Sequence, residues 1–89
     1  MGKSNGCFRG SNAIEGEGSL SSKHKVLIAI AISVIVKCEW CIAFHIKSAL
    51  DKGATREKVM EAAWVACMMG GGLAFMNIRL VQKALDDLL

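Results

Sequence analysis

An all-α fold, a small antiparallel helical subunit that associates with copies of itself through apolar helices, is what this sequence predicts, on three observations. Proline is absent from all 89 residues, so no obligatory helix breaker interrupts the chain. Apolar residues recur at helical spacing between recognisable cap and stop residues. Hydrophobic residues make up 53% of the chain and charged ones only 21%, and a monomer of this size buries only about 60 to 65% of the surface its unfolded chain exposes. The surplus apolar surface makes self-association the expected outlet.

Residues 1–20 carry five glycines among Ser, Asn and isolated charges, a composition that buries too little to order itself. A flexible N-terminal arm over 1–20, with a short helix near Asn12 to Glu17 that forms only against a partner, and a single helical domain over 21–89 are expected. Ser21 or Ser22 caps the first helix. From Val26 to Val36 every position but Ser33 is apolar, so this helix is apolar on all faces and is expected to be surrounded. A strand is the weaker reading of that run, which with its flanks is too long and has no turn residues. A second helix runs from Glu39 to about Lys52, where Gly53 supplies a left-handed stop. Thr55 caps the third, with Glu57 in its first turn and Val59, Ala62, Ala63, Ala66 and Cys67 at helical spacing. Gly70 to Gly72 permit either a sharp reversal or a close backbone approach, and a fourth helix follows from about Leu73 to Asp87. Short connections predict that consecutive helices pack antiparallel as neighbours.

Several functional classes drop out. The net charge of +3 is scattered, with no basic run interleaved with aromatics, which argues against nucleic acid. The 11 residues Val26 to Val36 are about half of the ~20 needed to cross hydrocarbon, so no membrane span is expected. The first 20 residues have no apolar stretch of signal-peptide type, and Gly6 stands where a myristoylation motif wants Ser or Thr. A cytoplasmic location is the default. In such a reducing compartment a CxxC pair is reactive or metal-binding more often than structural.

That pair is the centre of interest: Cys38-Glu-Trp-Cys41-Ile-Ala-Phe-His45. Two thiols at i and i+3 can close a disulfide across one helical turn, and Cys41 and His45 at i and i+4 share a face. A helix N-terminus and the positive charge of Lys37 favour thiolate over thiol, partly opposed by Glu39, and His45 can take the proton. Once one sulfur is oxidised the other resolves it to a disulfide. No metal and no cofactor are expected: structural zinc needs a second ligand pair, which His24, Cys7 and Cys67 do not form, and a c-type haem needs His directly after the second Cys, where Ile42 stands. Trp40 and Phe44, at i and i+4, read first as core or interface aromatics and second as walls of an apolar hydroperoxide pocket. Cys67 reads as core, Cys7 as an exposed thiol of the arm, and His24 as part of a solvated helix start. Gly2-Lys3-Ser4 lacks the strand and glycine loop of a phosphate site. Glu15 and Glu17 lie too close to the arm to serve as general acids.

From Lys25 to Leu85 the chain resembles the carboxymuconolactone decarboxylase family, in its alkylhydroperoxidase D-like branch. The residues that carry the resemblance are the segment Lys37 to His45, then Ala49 to Glu57, then Met69-Gly70-Gly71-Gly72. The resemblance implies helical subunits assembled as trimers or hexamers. It implies Cys41 as the attacking thiol, Cys38 as the exposed resolving thiol and His45 as part of a proton relay. The well-studied members carry a glutamate twelve residues before the first cysteine, where this chain has Val26, and Trp40 stands where a histidine can occur. The relay is then shorter, or completed by another carboxylate such as Glu61, or the chain has moved from peroxide turnover towards disulfide exchange. The expected function is reduction of hydroperoxides or partner disulfides, fed by a dithiol donor. A decarboxylase-like lyase acting on a small lactone acid and a non-catalytic oligomeric scaffold are the alternatives.

Overall fold

In the computed structural model, which describes residues 14–89, Ser21 Oγ accepts the His24 amide at 3.1 Å and starts helix α1 (Ser22–Val36). A hydroxyl is among the best acceptors for the orphan amides of a first turn. Lys37 ends α1 in the left-handed region (φ 56°, ψ 48°) and the chain re-enters a helix at once, as α2 (Glu39–Asp51). Gly53 follows with φ 91°, the left-handed stop expected of it. Thr55 Oγ1 then accepts the Lys58 amide at 3.2 Å and opens α3 (Arg56–Met76). Asn77, in right-handed backbone (φ −84°, ψ −6°), joins it to α4 (Ile78–Leu88). Among the described residues there is no strand.

The buried positions keep helical spacing: Val26, Ile30 and Val34 on α1, Ile42, Ile46 and Ala49 on α2, Val59, Ala63 and Ala66 on α3, and Ile78, Val81 and Leu85 on α4. Each large aliphatic side chain there contributes about 1.5 to 3 kcal/mol by leaving water. α1 is the centre of the packing, lying against both α2 and α3, while α4 closes against α2 and α3.

Two expectations need correction. Consecutive helices are not all neighbours, because α2 and α3 barely touch: the buried stripe of α2 is already occupied by α1 and α4. The glycine run breaks the third helix, as expected: Gly71 leaves helical geometry (φ 72°, ψ −150°) and kinks α3, and the helical stretch that resumes after it passes through Asn77 in right-handed backbone (φ −84°, ψ −6°) into α4. Gly70 serves close approach as well, since a Cβ there would stand 2.8 Å from Ala74 Cβ and 3.2 Å from Ile35 Cγ1. Within one subunit α1 keeps part of its apolar surface open, the surplus for which self-association was the expected outlet. Ile28, Ile32, Ile35 and Val36 are exposed, as are Trp64, Val65, Met68 and Met69 on α3. α3 is also long and apolar enough to cross a membrane by length and composition, whereas no such span was expected; here its buried face packs on α1 and Gly71 bends it.

Asn77, a polar side chain only 6% exposed, was not singled out by sequence. Its Nδ2 donates to the Val34 carbonyl at 2.7 Å, one of the carbonyls a helix end leaves without an intrahelical partner. The corner between α3 and α4 is thereby pinned to the end of α1, four residues before Cys38.

Candidate functional site

The corner Lys37–Cys38 positions the thiols. Left-handed backbone at a non-glycine residue costs about 1 to 2 kcal/mol, and here it is held by the Lys37 amide reaching Val34 and by the Cys38 amide donating to the Ser33 carbonyl at 3.1 Å. Cys38 is thus the N-cap of α2 (φ −95°, ψ 98°), and its Sγ accepts the Cys41 amide at 3.2 Å. The two cysteines form a disulfide with Cα atoms 5.1 Å apart. Both are half-buried. The sulfurs sit at the positive end of the α2 dipole, which favours thiolate once the bond is reduced.

One turn on, His45 is mostly covered, its side chain 15% exposed. Nδ1 is buried without a hydrogen-bond partner. Leaving such a group unsatisfied costs about 1 to 3 kcal/mol. The nearest carboxylate is that of Glu15, Oε2 at 3.5 Å, within ion-pair reach yet outside hydrogen-bond geometry. Phe44 packs T-shaped against the imidazole (centroids 5.2 Å, planes at 79°) and stacks with Trp40 (4.9 Å, 10°). These two aromatics, with Ala43, Lys47, Ala84 and Leu88, line a shallow groove of about 330 Å³.

Sequence spacing therefore placed Cys38, Cys41 and His45 on the first two turns of one helix, but it set Glu15 aside as too close to the arm, and that residue reaches His45 from thirty positions away. Glu61, named as a stand-in carboxylate, is exposed and faces a different cavity of about 360 Å³ beside Lys23 and His24. Val26 is fully buried in the core. His24 lies at the exposed start of α1, its Nδ1 2.7 Å from Ser21 Oγ. Cys67 packs against the core, and desolvation pushes its thiol pKa up. Cys7 and the start of the Asn12 to Glu17 segment lie outside the described residues. Among the described residues no three His, Cys, Asp or Glu side chains converge as a metal site.

A family model for carboxymuconolactone decarboxylases matches residues 8–84. The chain belongs to the carboxymuconolactone decarboxylase family. A family protein from Legionella pneumophila, solved in its apo form, superposes with a TM-score of 0.87 at 33% identity over 94% of this chain and 75% of its own. A second family protein, from Thermotoga maritima and suggested to take part in an antioxidative response, superposes with a TM-score of 0.88 at 26% identity, over 99% and 91%. An uncharacterized protein of the cox locus of Paracoccus denitrificans is 38% identical over 78 residues, 88% of this chain and 70% of its own length. For an uncharacterized protein of Cupriavidus necator, 43% identical over 56 residues, the match takes in 63% of this chain and half of the relative. Membership of the carboxymuconolactone decarboxylase family agrees with the all-helical fold, and within it the CxxC pair of this chain is consistent with the alkylhydroperoxidase D-like branch.

Proposed function

We propose that this family member is a dithiol oxidoreductase that reduces hydroperoxides or partner disulfides through Cys41 and Cys38, with His45 moving the proton. The observation that carries the reading is the Cys38–Cys41 disulfide closed across the first turn of α2, with a covered imidazole one turn further along the same helix. In the reduced enzyme Cys41 gives its proton to His45, directly or through one water, and the helix end holds the thiolate. The sulfur attacks the terminal oxygen of a hydroperoxide. The O–O bond breaks, Cys41 becomes a sulfenic acid, and the departing alkoxide takes the proton back to leave as alcohol. Cys38 then attacks Cys41 Sγ, the S–S bond forms, and hydroxide leaves with the Cys38 proton as water. A dithiol donor returns the two electrons by exchange and is itself oxidised to a disulfide. With a partner disulfide as oxidant, Cys41 forms a mixed disulfide that Cys38 resolves, releasing two thiols.

The antioxidative role suggested for the Thermotoga maritima relative supports the same reading. The cycle consumes dithiol, which suits the reducing cytoplasm. It also includes self-association, as trimers or hexamers, supported by the exposed apolar residues on α1 and α3. Charging that surface with Ile32→Glu and Met68→Glu should dissociate the assembly in light scattering; a monomeric parent protein would remove this part.

Stopped-flow reaction of the reduced protein with a panel of hydroperoxides and disulfides tests the chemistry. One oxidant equivalent per subunit should be consumed as the Cys38–Cys41 bond forms. Oxidation no faster than that of a free small thiol would end the reading. Lactone turnover surviving in the Cys38→Ser, Cys41→Ser double variant would favour the lyase instead.

A further inference from the structure

We infer that Glu15 is the positioning residue of His45, presented to it by a backbone strap that Lys25 clamps onto α1. The inference rests on the dithiol reading for its consequence, though not for its geometry. His45 Nδ1 is buried without a hydrogen-bond partner, Glu15 Oε2 stands 3.5 Å away, and the two side chains are covered to the same degree, 15% and 16% exposed. A shift of a few tenths of an ångström makes this contact a hydrogen bond, and such bonds often tighten only in the reacting complex.

The carboxylate is held there by its own backbone. Lys25 Nζ donates to the Ile14 carbonyl at 2.8 Å and to the Gly16 carbonyl at 2.9 Å. These carbonyls flank Glu15, so one ammonium fixes the chain on both sides of it. A second tie comes from Glu17, whose Oε2 accepts the Ser22 amide at 3.0 Å, one of the donors a helix start leaves open. Gly18 keeps room for the clamp, since a Cβ there would stand 3.3 Å from Lys25 Nζ. α1 itself contributes no carboxylate at this point, because Val26 next to Lys25 faces the core.

A carboxylate that accepts a hydrogen bond from Nδ1–H fixes the imidazole tautomer and leaves Nε2 as the base. Glu15 thereby acts on the thiol through His45. The substrate it needs is the one already proposed, and no further group is required.

The test reads the tautomer and the thiol separately. Imidazole ¹⁵N shifts of the reduced full-length protein should place the His45 proton on Nδ1 and lose that preference in Glu15→Ala. Thiol reaction with hydroperoxide should slow about tenfold or more in Glu15→Ala, through the rate constant and not through apparent oxidant affinity. Glu15→Gln, which keeps an acceptor, should recover the tautomer and part of the rate. Lys25→Met, which removes the clamp and leaves Glu15 in place, should move both readouts the same way by less. A parent protein with the proton on Nε2, or thiol rates within about twofold across all three variants, would overturn the inference. A parent protein that reduces neither oxidant would remove the dithiol reading, while the tautomer would still decide whether Glu15 and His45 are paired.

Discussion

The starts of α2 and α3 are built alike and differ in the capping atom, sulfur in one and oxygen in the other. In each, an extended residue caps the helix by accepting the amide three residues on, at 3.2 Å: Cys38 Sγ from Cys41, and Thr55 Oγ1 from Lys58. Threonine is a favoured cap and sulfur is only a weak acceptor. The Thr55 cap is explained by stability alone. At Cys38 a weaker acceptor occupies the same geometry, next to a second sulfur, a strained Lys37 and a covered imidazole. On the proposed dithiol reading, this position gives up capping strength for redox chemistry.

Cys38→Ser is the sharpest break of that likeness. It turns the α2 start into a copy of the α3 start, so turnover with hydroperoxide or disulfide should fall to background. The reduced protein should hold its stability or gain up to about 1 kcal/mol, measured by urea unfolding under reductant. Sustained turnover in this variant would make the sulfur cap irrelevant. His45→Gln should slow thiolate attack by about 10²-fold while the disulfide still closes, as followed by single-turnover oxidation. Asn77→Ala removes the shorter of two hydrogen bonds to the Val34 carbonyl, leaving the Lys37 amide at 3.4 Å, and should cost about 0.5 to 1.5 kcal/mol, seen as a lower urea midpoint. Thr55→Ala should cost about 1 kcal/mol and leave the thiol rates unchanged, which is what separates the two caps.

The smallest effect concerns Cys67. Its folded pKa is raised by desolvation, so the folded state keeps the proton to higher pH than the unfolded one does. Its contribution to stability is whole below the unfolded thiol value of about 8.5 and is lost as pH rises through the folded value. Urea midpoints should therefore decline slightly more above that pH in the parent than in Cys67→Ala. At neutral pH the reduced protein should alkylate at Cys38 or Cys41 before Cys67.

How much of this was legible depended on range. Ser21, Gly53 and Thr55 could be read as helix punctuation because a cap is settled within four residues. The thiols and His45 were legible for the same reason, sharing two turns of α2. At Gly70 to Gly72 the residues permitted a sharp break or a close approach, and the structure uses both, Gly71 kinking the helix and Gly70 lying against Ile35 of another helix. Asn77 gave no local signal, and Glu15 was set aside for lying beside the arm. Their partners lie on α1 and α2, and a polar side chain near a corner or in a glycine-rich stretch reads as solvated.

By itself the sequence determined where helices start, what two sulfurs and an imidazole at i, i+3 and i+7 can do, and that more apolar surface exists than one subunit covers. The packing of α1 against α2 and α3 decided which of its apolar faces became core and which stayed open. It also brought Asn77 to a carbonyl 43 residues away and Glu15 to His45. The physical reason is that capping and periodicity are satisfied within a turn or two of backbone, whereas a buried polar atom takes its partner from whichever element the core brings against it.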